Sequence, residues 1–249
     1  MDLSKTIAVR PNKMIYRDGD RVIKVMSEDF TAPEVLSEAF NMSVVHETGF
    51  PVPELYEVLK IDGKWALVME YIEGKTIADL IKENPANTEA YFSRMVDIQL
   101  DMHKYKENRL WNHTDKMQGK ISRSGLDATM RYELHTRLDS LPKHNKLCHG
   151  DFIPINIIIT PDDKAYVLDW SRATQGNASA DAAQTYLRLM LAGNDKHAEL
   201  YLKLFCEKSD TARQYVDKWM AIVAASQLVK NKPEEREFLM RWVHVVEYD

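Results

Sequence analysis

Cys148-His149-Gly150-Asp151-Phe152-Ile153-Pro154-Ile155-Asn156, followed after one turn by Tyr166-Val167-Leu168-Asp169-Trp170, carries the densest chemical signal in this 249-residue chain. The apolar runs Ile155–Thr160 and Ala165–Asp169 flank the turn residues Pro161-Asp162-Asp163 and predict two short antiparallel strands. Lys146–Cys148 predicts another strand just upstream. A hairpin at this point brings Asp151, Asn156 and Asp169 towards one another, on a loop and two strand ends.

Working outward, the character of the chain changes on either side. Residues 5–26 alternate short apolar runs with turn residues: Thr6–Val9, the break Arg10–Lys13, Met14–Tyr16, the turn Asp18-Gly19-Asp20, then Arg21–Met26. They predict three antiparallel strands. A helix follows, with Pro33 in its first turn, apolar Val35, Leu36, Ala39, Phe40, Met42 and Val45 along it, and Gly49 and Pro51 beyond its end. Leu55–Ile61 and Trp65–Tyr71 predict two more strands joined by Asp62-Gly63. Helical spacing then takes over at Thr76–Glu83, Thr88–Lys106 and Gly125–Leu141, and again from about Ala178 to Tyr248. Sheet first and helices later is an α+β pattern. A polar joint near Glu70–Gly74 predicts two lobes around a cleft, residues 1–72 and residues 73–249.

Composition narrows the function classes. A formal net charge of −5 argues against broad binding of nucleic acid, which asks for a basic stripe to neutralise phosphates; the acid balance is compatible with a cationic partner. No apolar run reaches the ~18 residues of a membrane span, and the start Met-Asp-Leu-Ser-Lys lacks the plan of a signal peptide, so the expected location is the cytoplasm. Cys148 and Cys206 are too few for a disulfide framework and are not spaced as metal ligands; both read as buried small hydrophobes.

The chemistry that suits Asp151, Asn156 and Asp169 is phosphoryl transfer. Magnesium prefers hard oxygen ligands, so one carboxylate and one amide carbonyl can hold it against phosphates. A separate carboxylate can then accept the proton of an attacking hydroxyl. His149-x-Asp151-x-x-x-x-Asn156, with Asp169 thirteen residues further on, resembles the catalytic loop and metal-binding aspartate of the protein-kinase superfamily. His-Gly-Asp with a later Asp-Trp is similar to the aminoglycoside phosphotransferase and choline kinase branch, whose substrates are small molecules.

That resemblance implies a bilobal protein-kinase-like fold: a small antiparallel sheet plus one helix in a nucleotide-binding N-lobe, residues 1–72, and a mainly helical C-lobe for catalysis and substrate, residues 73–249. It implies ATP or GTP and Mg²⁺ as cofactors, Asp151 as catalytic base, and Asn156 and Asp169 as metal ligands. Lys24, in Val22-Ile23-Lys24-Val25, resembles the phosphate-binding lysine, with Glu38 as its helix partner and Glu34 in reserve. Ala66–Gly74 resembles the hinge strand, where the carbonyl of Glu70 and the amide of Ile72 would hold adenine and Met69 would face it. Asp181 resembles the aspartate that braces the catalytic loop, and His149 reads as a structural loop residue.

Two departures matter. No glycine-rich phosphate loop is present, its place being taken by Val9–Met14, where Arg10 or Lys13 could supply charge. No Ala-Pro-Glu segment follows Asp169, which favours a small-molecule acceptor over a peptide. The acceptor itself stays open. Carboxylates at Glu73, Asp79, Asp101, Asp181, Glu247 and Asp249 would suit an aminoglycoside, and aromatic residues Trp111, Trp170, Tyr186, Trp219 and Trp242 a quaternary ammonium. The alternative to an enzyme is a nucleotide-binding pseudokinase or regulatory module without turnover.

Overall fold

Alternation along a strand sends successive side chains to opposite faces, and in the third strand that rule decides where the charge goes. The structure is a computed structural model and describes residues 2–244. In chain order its elements begin with β1 (Thr6–Arg10), β2 (Lys13–Asp18), β3 (Arg21–Met26), α1 (Ala32–Glu47), β4 (Leu55–Ile61), β5 (Lys64–Glu70), β6 (Lys75–Thr76) and α2 (Ile77–Glu83). They continue with α3 (Thr88–Met102), α4 (His113–Ser122), α5 (Ala128–Ser140), β7 (Lys146–Cys148), β8 (Ile157–Ile159), β9 (Ala165–Val167) and β10 (Thr174–Gly176). The chain closes with α6 (Ala178–Leu191), α7 (Asp195–Ser209), α8 (Arg213–Leu228) and α9 (Pro233–Val243).

The chain forms two compact units: residues up to Glu83 together with Pro154–Arg172, and Asn84–Ile153 together with the chain from Ala173 onward. The first boundary lies past residue 72, where two lobes were expected to meet, and the segment carrying Asn156 and Asp169 belongs with the N-terminal unit. Hydrogen bonding is the reason. β8 pairs with β6 on one side and β9 on the other, and Trp170 packs against Phe50 edge-on, with ring centroids 5.8 Å apart.

In the first unit, β1–β5 make an antiparallel sheet in the order β1-β2-β3-β5-β4. Asp62 and Gly63 both take positive φ, 48° and 80°, which is the twist a two-residue hairpin requires. On the α1 face, Met26 and Leu67 pack with Val35 and Ala39, joined by Phe30, Leu55, Val58, Trp65 and Met69. Ile23, Ala66 and Val68 build the core of the opposite face. Lys24, one residue from Ile23 and two from Met26, is thereby sent to the helix-covered face. Helix α1 begins with a capping box, Glu34 accepting from the amide (2.9 Å) and hydroxyl (2.7 Å) of Thr31. It buries Val35, Ala39, Met42 and Val45 but leaves Leu36 and Phe40 about half exposed. At the second sheet, Gly74 lies against the backbone of Ile159, where a Cβ would collide with the carbonyl.

In the second unit, α8 is buried on almost every side from Trp219 to Leu228 and acts as the central helix. α6 packs on α7 and α8, α3 on α7, and α4 on α5 and α8. The run expected as helix from Ala178 is four helices, interrupted at Gly193, Asp210 and Asn231, each in a left-handed conformation; the expectation for Val245–Tyr248 lies outside the described residues. α4 had no sequence expectation because Gly119 and polar residues blur its stripe. Asn112 starts it by accepting from the amide of Thr114 at 2.8 Å. Cys148 is buried, whereas Cys206 is only partly so. Among the described residues, no helix is long and apolar enough to cross a membrane.

Candidate functional site

The first unit holds a four-charge cluster, with Lys24 and Glu38 buried and Lys13 and Asp169 partly so. Lys24 Nζ is ion-paired with Glu38 and lies 3.1 Å from Asp169 Oδ1; Lys13 Nζ lies 2.6 Å from Asp169 Oδ2. The Lys24 and Glu38 side chains are 6% and 5% exposed, too little for an unpaired charge to survive. Two cations facing two carboxylates balance, and that balance permits the burial. Burial works against the ammonium of Lys24, but Glu38 and Asp169 outweigh it and raise its pKa. Burial likewise opposes ionisation of Asp169, yet Lys24 and Lys13 hold its carboxyl far below the usual range. Lys13 is the exception: burial, then the like charge of Lys24, lower its pKa despite Asp169.

Local structure sets each member. Glu38 lies one turn beyond Val35 on the inward side of α1, while Glu34 is spent on the helix cap, so Glu38 meets the lysine. Asp169 has φ 66°, a left-handed conformation that a non-glycine residue adopts at a cost of order 1–3 kcal/mol. Its neighbours hold it there. Leu168 N–H donates to the Asn156 carbonyl (2.8 Å), Trp170 Nε1–H to the Val167 carbonyl (2.9 Å), and Asn41 Nδ2–H to the Trp170 carbonyl (3.0 Å). Asn156 was expected at the start of a strand; it closes a 3₁₀ turn, Pro154–Asn156, because Pro154 starts the turn and pairing begins only at Ile157.

The second unit holds Asp151 and its supports. Asp151 is 9% exposed, and its Oδ1 accepts from Arg188 Nε at 2.8 Å. Its amide donates to His149 Nδ1 at 3.1 Å, which leaves the ring proton of this fully buried histidine on Nε2. Gly150, at φ 77°, donates its amide to Asp181 Oδ1 at 2.7 Å. Gln99 Nε2 and His103 Nε2 each lie 3.1 Å from Asp181 Oδ2, and Tyr201 donates to Gln99 at 2.6 Å. Burial would push the Asp181 carboxyl up, but the bonds from His103 and the Gly150 amide prevail and hold it at about 2. The loop Cys148–Phe152 is thus pinned from α6 and α3.

A family model described as "Phosphotransferase enzyme family" matches residues 12–215, which include every residue of both clusters. The chain belongs to that family. No curated protein matches its sequence. Solved structures give the fold. Choline kinase LicA from Streptococcus pneumoniae superimposes with a TM-score of 0.66 at 13% identity, covering 99% of this chain and 94% of that one. A choline/ethanolamine kinase family protein from Mesorhizobium loti gives 0.67 at 15%, covering 100% and 90%. A ternary complex of aminoglycoside phosphotransferase APH(4)-Ia with AMP-PNP and hygromycin B gives 0.68 at 13%, covering 96% and 89%. The protein-kinase-like fold expected from the sequence is therefore the fold of this family member.

Of the residues expected to form an adenine hinge, Met69 packs half-buried with Met26, Val35 and Leu67; Glu70 ends β5, its amide donating to the Glu54 carbonyl at 2.9 Å; Ile72 is buried just beyond. Arg188, Gln99, His103 and Tyr201 were missed in the sequence, and Lys13 was weighed only for phosphate. A signal for Arg188 existed: Asp181, Gln184 and Arg188 fall at i, i+3 and i+7, a polar stripe on a helix otherwise rich in buried Ala and Leu.

Proposed function

We propose that this phosphotransferase moves the γ-phosphoryl group of ATP onto a hydroxyl of a small molecule. The observation that supports it most is the buried pairing of Lys24 with both Glu38 and Asp169, since a buried lysine held between a helix carboxylate and a second carboxylate in a strained left-handed conformation is costly, and such cost is stored at functional sites. Lys24 and Lys13 would face the triphosphate, and the main chain at Glu70 and Ile72, with Met69, the adenine. GTP would meet the same lysines and differ only at the base.

Asp169 and Asn156 offer a carboxylate and an amide carbonyl, both hard oxygen donors, in one unit; that donor set fits Mg²⁺. Bound there, Mg²⁺ would neutralise charge on the phosphates. Asp151 would orient the acceptor hydroxyl and take its proton as the acceptor oxygen bonds to the γ-phosphorus and the bridging oxygen leaves with ADP. Catalysis on this reading is positioning and charge stabilisation, with little covalent chemistry by the protein.

The test is ADP release by the purified chain with Mg-ATP and a panel of amino alcohols, sugars, hydroxy acids and aminoglycosides. Acceptor-dependent release supports the reading. Nucleotide binding without turnover on any acceptor would instead make the chain a binding module.

A further inference from the structure

The charges around Asp151 say what kind of acceptor fits. Arg188 donates from Nε to Asp151 Oδ1 at 2.8 Å, and no other partner of its guanidinium is found among the described residues. Its side chain is 24% exposed, so the two Nη groups reach solvent beside the candidate base. A guanidinium binding one carboxylate through Nε keeps its Nη edge for a second anion, in the two-point geometry that carboxylates and phosphates match.

Among the described residues, several of those the sequence offered to a cationic acceptor are committed elsewhere. Asp79 accepts from the hydroxyl and amide of Thr76, Asp101 pairs with Lys104 on the surface, and Asp181 is buried beneath Gly150. Glu73 is exposed in the other unit, and Glu247 and Asp249 lie outside the described residues. Trp170 and Trp219 are 0% and 1% exposed, so their ring faces belong to the core; Tyr186, 2% exposed, already has the Arg213 guanidinium 5.9 Å over its ring, and Trp242 stands edge-on to it at 6.1 Å. Exposed Trp111 alone makes no cage.

We infer that the acceptor of this chain carries an anionic group, a carboxylate or a phosphate, which docks on the Nη edge of Arg188 while its hydroxyl meets Asp151. The inference rests on the phosphotransferase reading above and departs from the cationic acceptor compatible with the net charge. It implies a compact acceptor, with hydroxyl and acid separated by a few bonds. Arg188 would hold the Asp151 carboxylate in place and select the substrate with the same planar group.

The experiment pairs each neutral alcohol with its hydroxy-acid and its phosphorylated counterpart, beside choline and an aminoglycoside, and measures ADP release with Mg-ATP. At least a tenfold higher kcat/KM for the acid-bearing member is expected, and which arm gains, carboxylate or phosphate, identifies the anion. In Arg188→Met, KM for that member should rise about 10- to 100-fold, with a smaller change in kcat; Arg188→Lys, which keeps the charge but loses the fork, should fall between. A second readout is thermal shift of the protein saturated with Mg-AMP-PNP, on adding inorganic phosphate or a short dicarboxylate: stabilisation in the wild type that disappears in Arg188→Met is expected. Turnover on neutral or cationic acceptors with no gain from the acid would overturn the inference while leaving phosphoryl transfer standing. ATP bound but consumed with no acceptor would remove both.

Discussion

Glu34 and Glu38 show how far apart two similar residues can be taken by geometry. They lie one turn apart on α1, yet one caps the helix and the other neutralises a buried lysine. Glu38→Gln leaves Lys24 and Lys13 facing Asp169 alone, an uncompensated positive charge in a largely buried site. We expect KM for ATP to rise by about 10-fold or more, and the chain to lose roughly 3 kcal/mol or more of stability, as removal of one partner from a buried pair does. Steady-state kinetics and chemical denaturation check both. Asp151→Asn keeps the shape but cannot take a proton; turnover on a working acceptor should fall about 10²- to 10⁴-fold with nucleotide affinity nearly intact. Normal turnover in that variant would remove Asp151 from the role of base.

Helices do the positioning. α1 places Glu38 and also binds the Trp170 carbonyl through Asn41, so one helix supports Lys24 directly and Asp169 through its neighbour. α6 holds Gly150 by Asp181 and Asp151 by Arg188, two grips two turns apart on one face. Because the Thr31–Glu34 cap serves α1 alone, Glu34→Ala should cost about 0.5–2 kcal/mol of stability while kcat per folded molecule stays unchanged. A rise in KM for ATP of the Glu38→Gln kind would mean that fraying of α1 reaches the lysine. α4 illustrates what periodicity misses: a short helix with Gly119 at its middle is held by its Asn112 cap and by packing on α8, neither of which shows as a stripe.

For the molecule as a whole, the buried ionisable groups set its acid stability. His113 on α4 is buried, with Trp219 edge-on at 5.9 Å and no hydrogen bond to either ring nitrogen among the described residues. Burial pushes its pKa from 6.5 down to about 4. The unfolded chain therefore takes up a proton between pH 6.5 and 4 that the folded chain refuses, and stability falls as pH drops through that window, by roughly 3 kcal/mol at most. Asp181, at about 2 when folded, continues the loss below pH 4. Denaturation midpoints measured from pH 7 to pH 4 should show the slope, and His113→Leu should flatten it. Much of this architecture was legible in the chain itself. Strand alternation around Lys24, the turn at Asp62-Gly63 and the spacing of Asp151, Asn156 and Asp169 are local patterns, so they predict sheet, hairpin and candidate site without any contact being known. What lay beyond them depends on groups distant in the chain. Lys13 and Asp169 are 156 positions apart and Asp151 and Arg188 are 37 apart. The sequence by itself determined which residues could carry charge and which face of each element they take, because strand and helix periods are properties of the backbone. Only the tertiary structure decided which charges meet, since a buried ion must find whichever opposite charge the packing brings within reach, and that put Lys13 on Asp169 and Arg188 on Asp151.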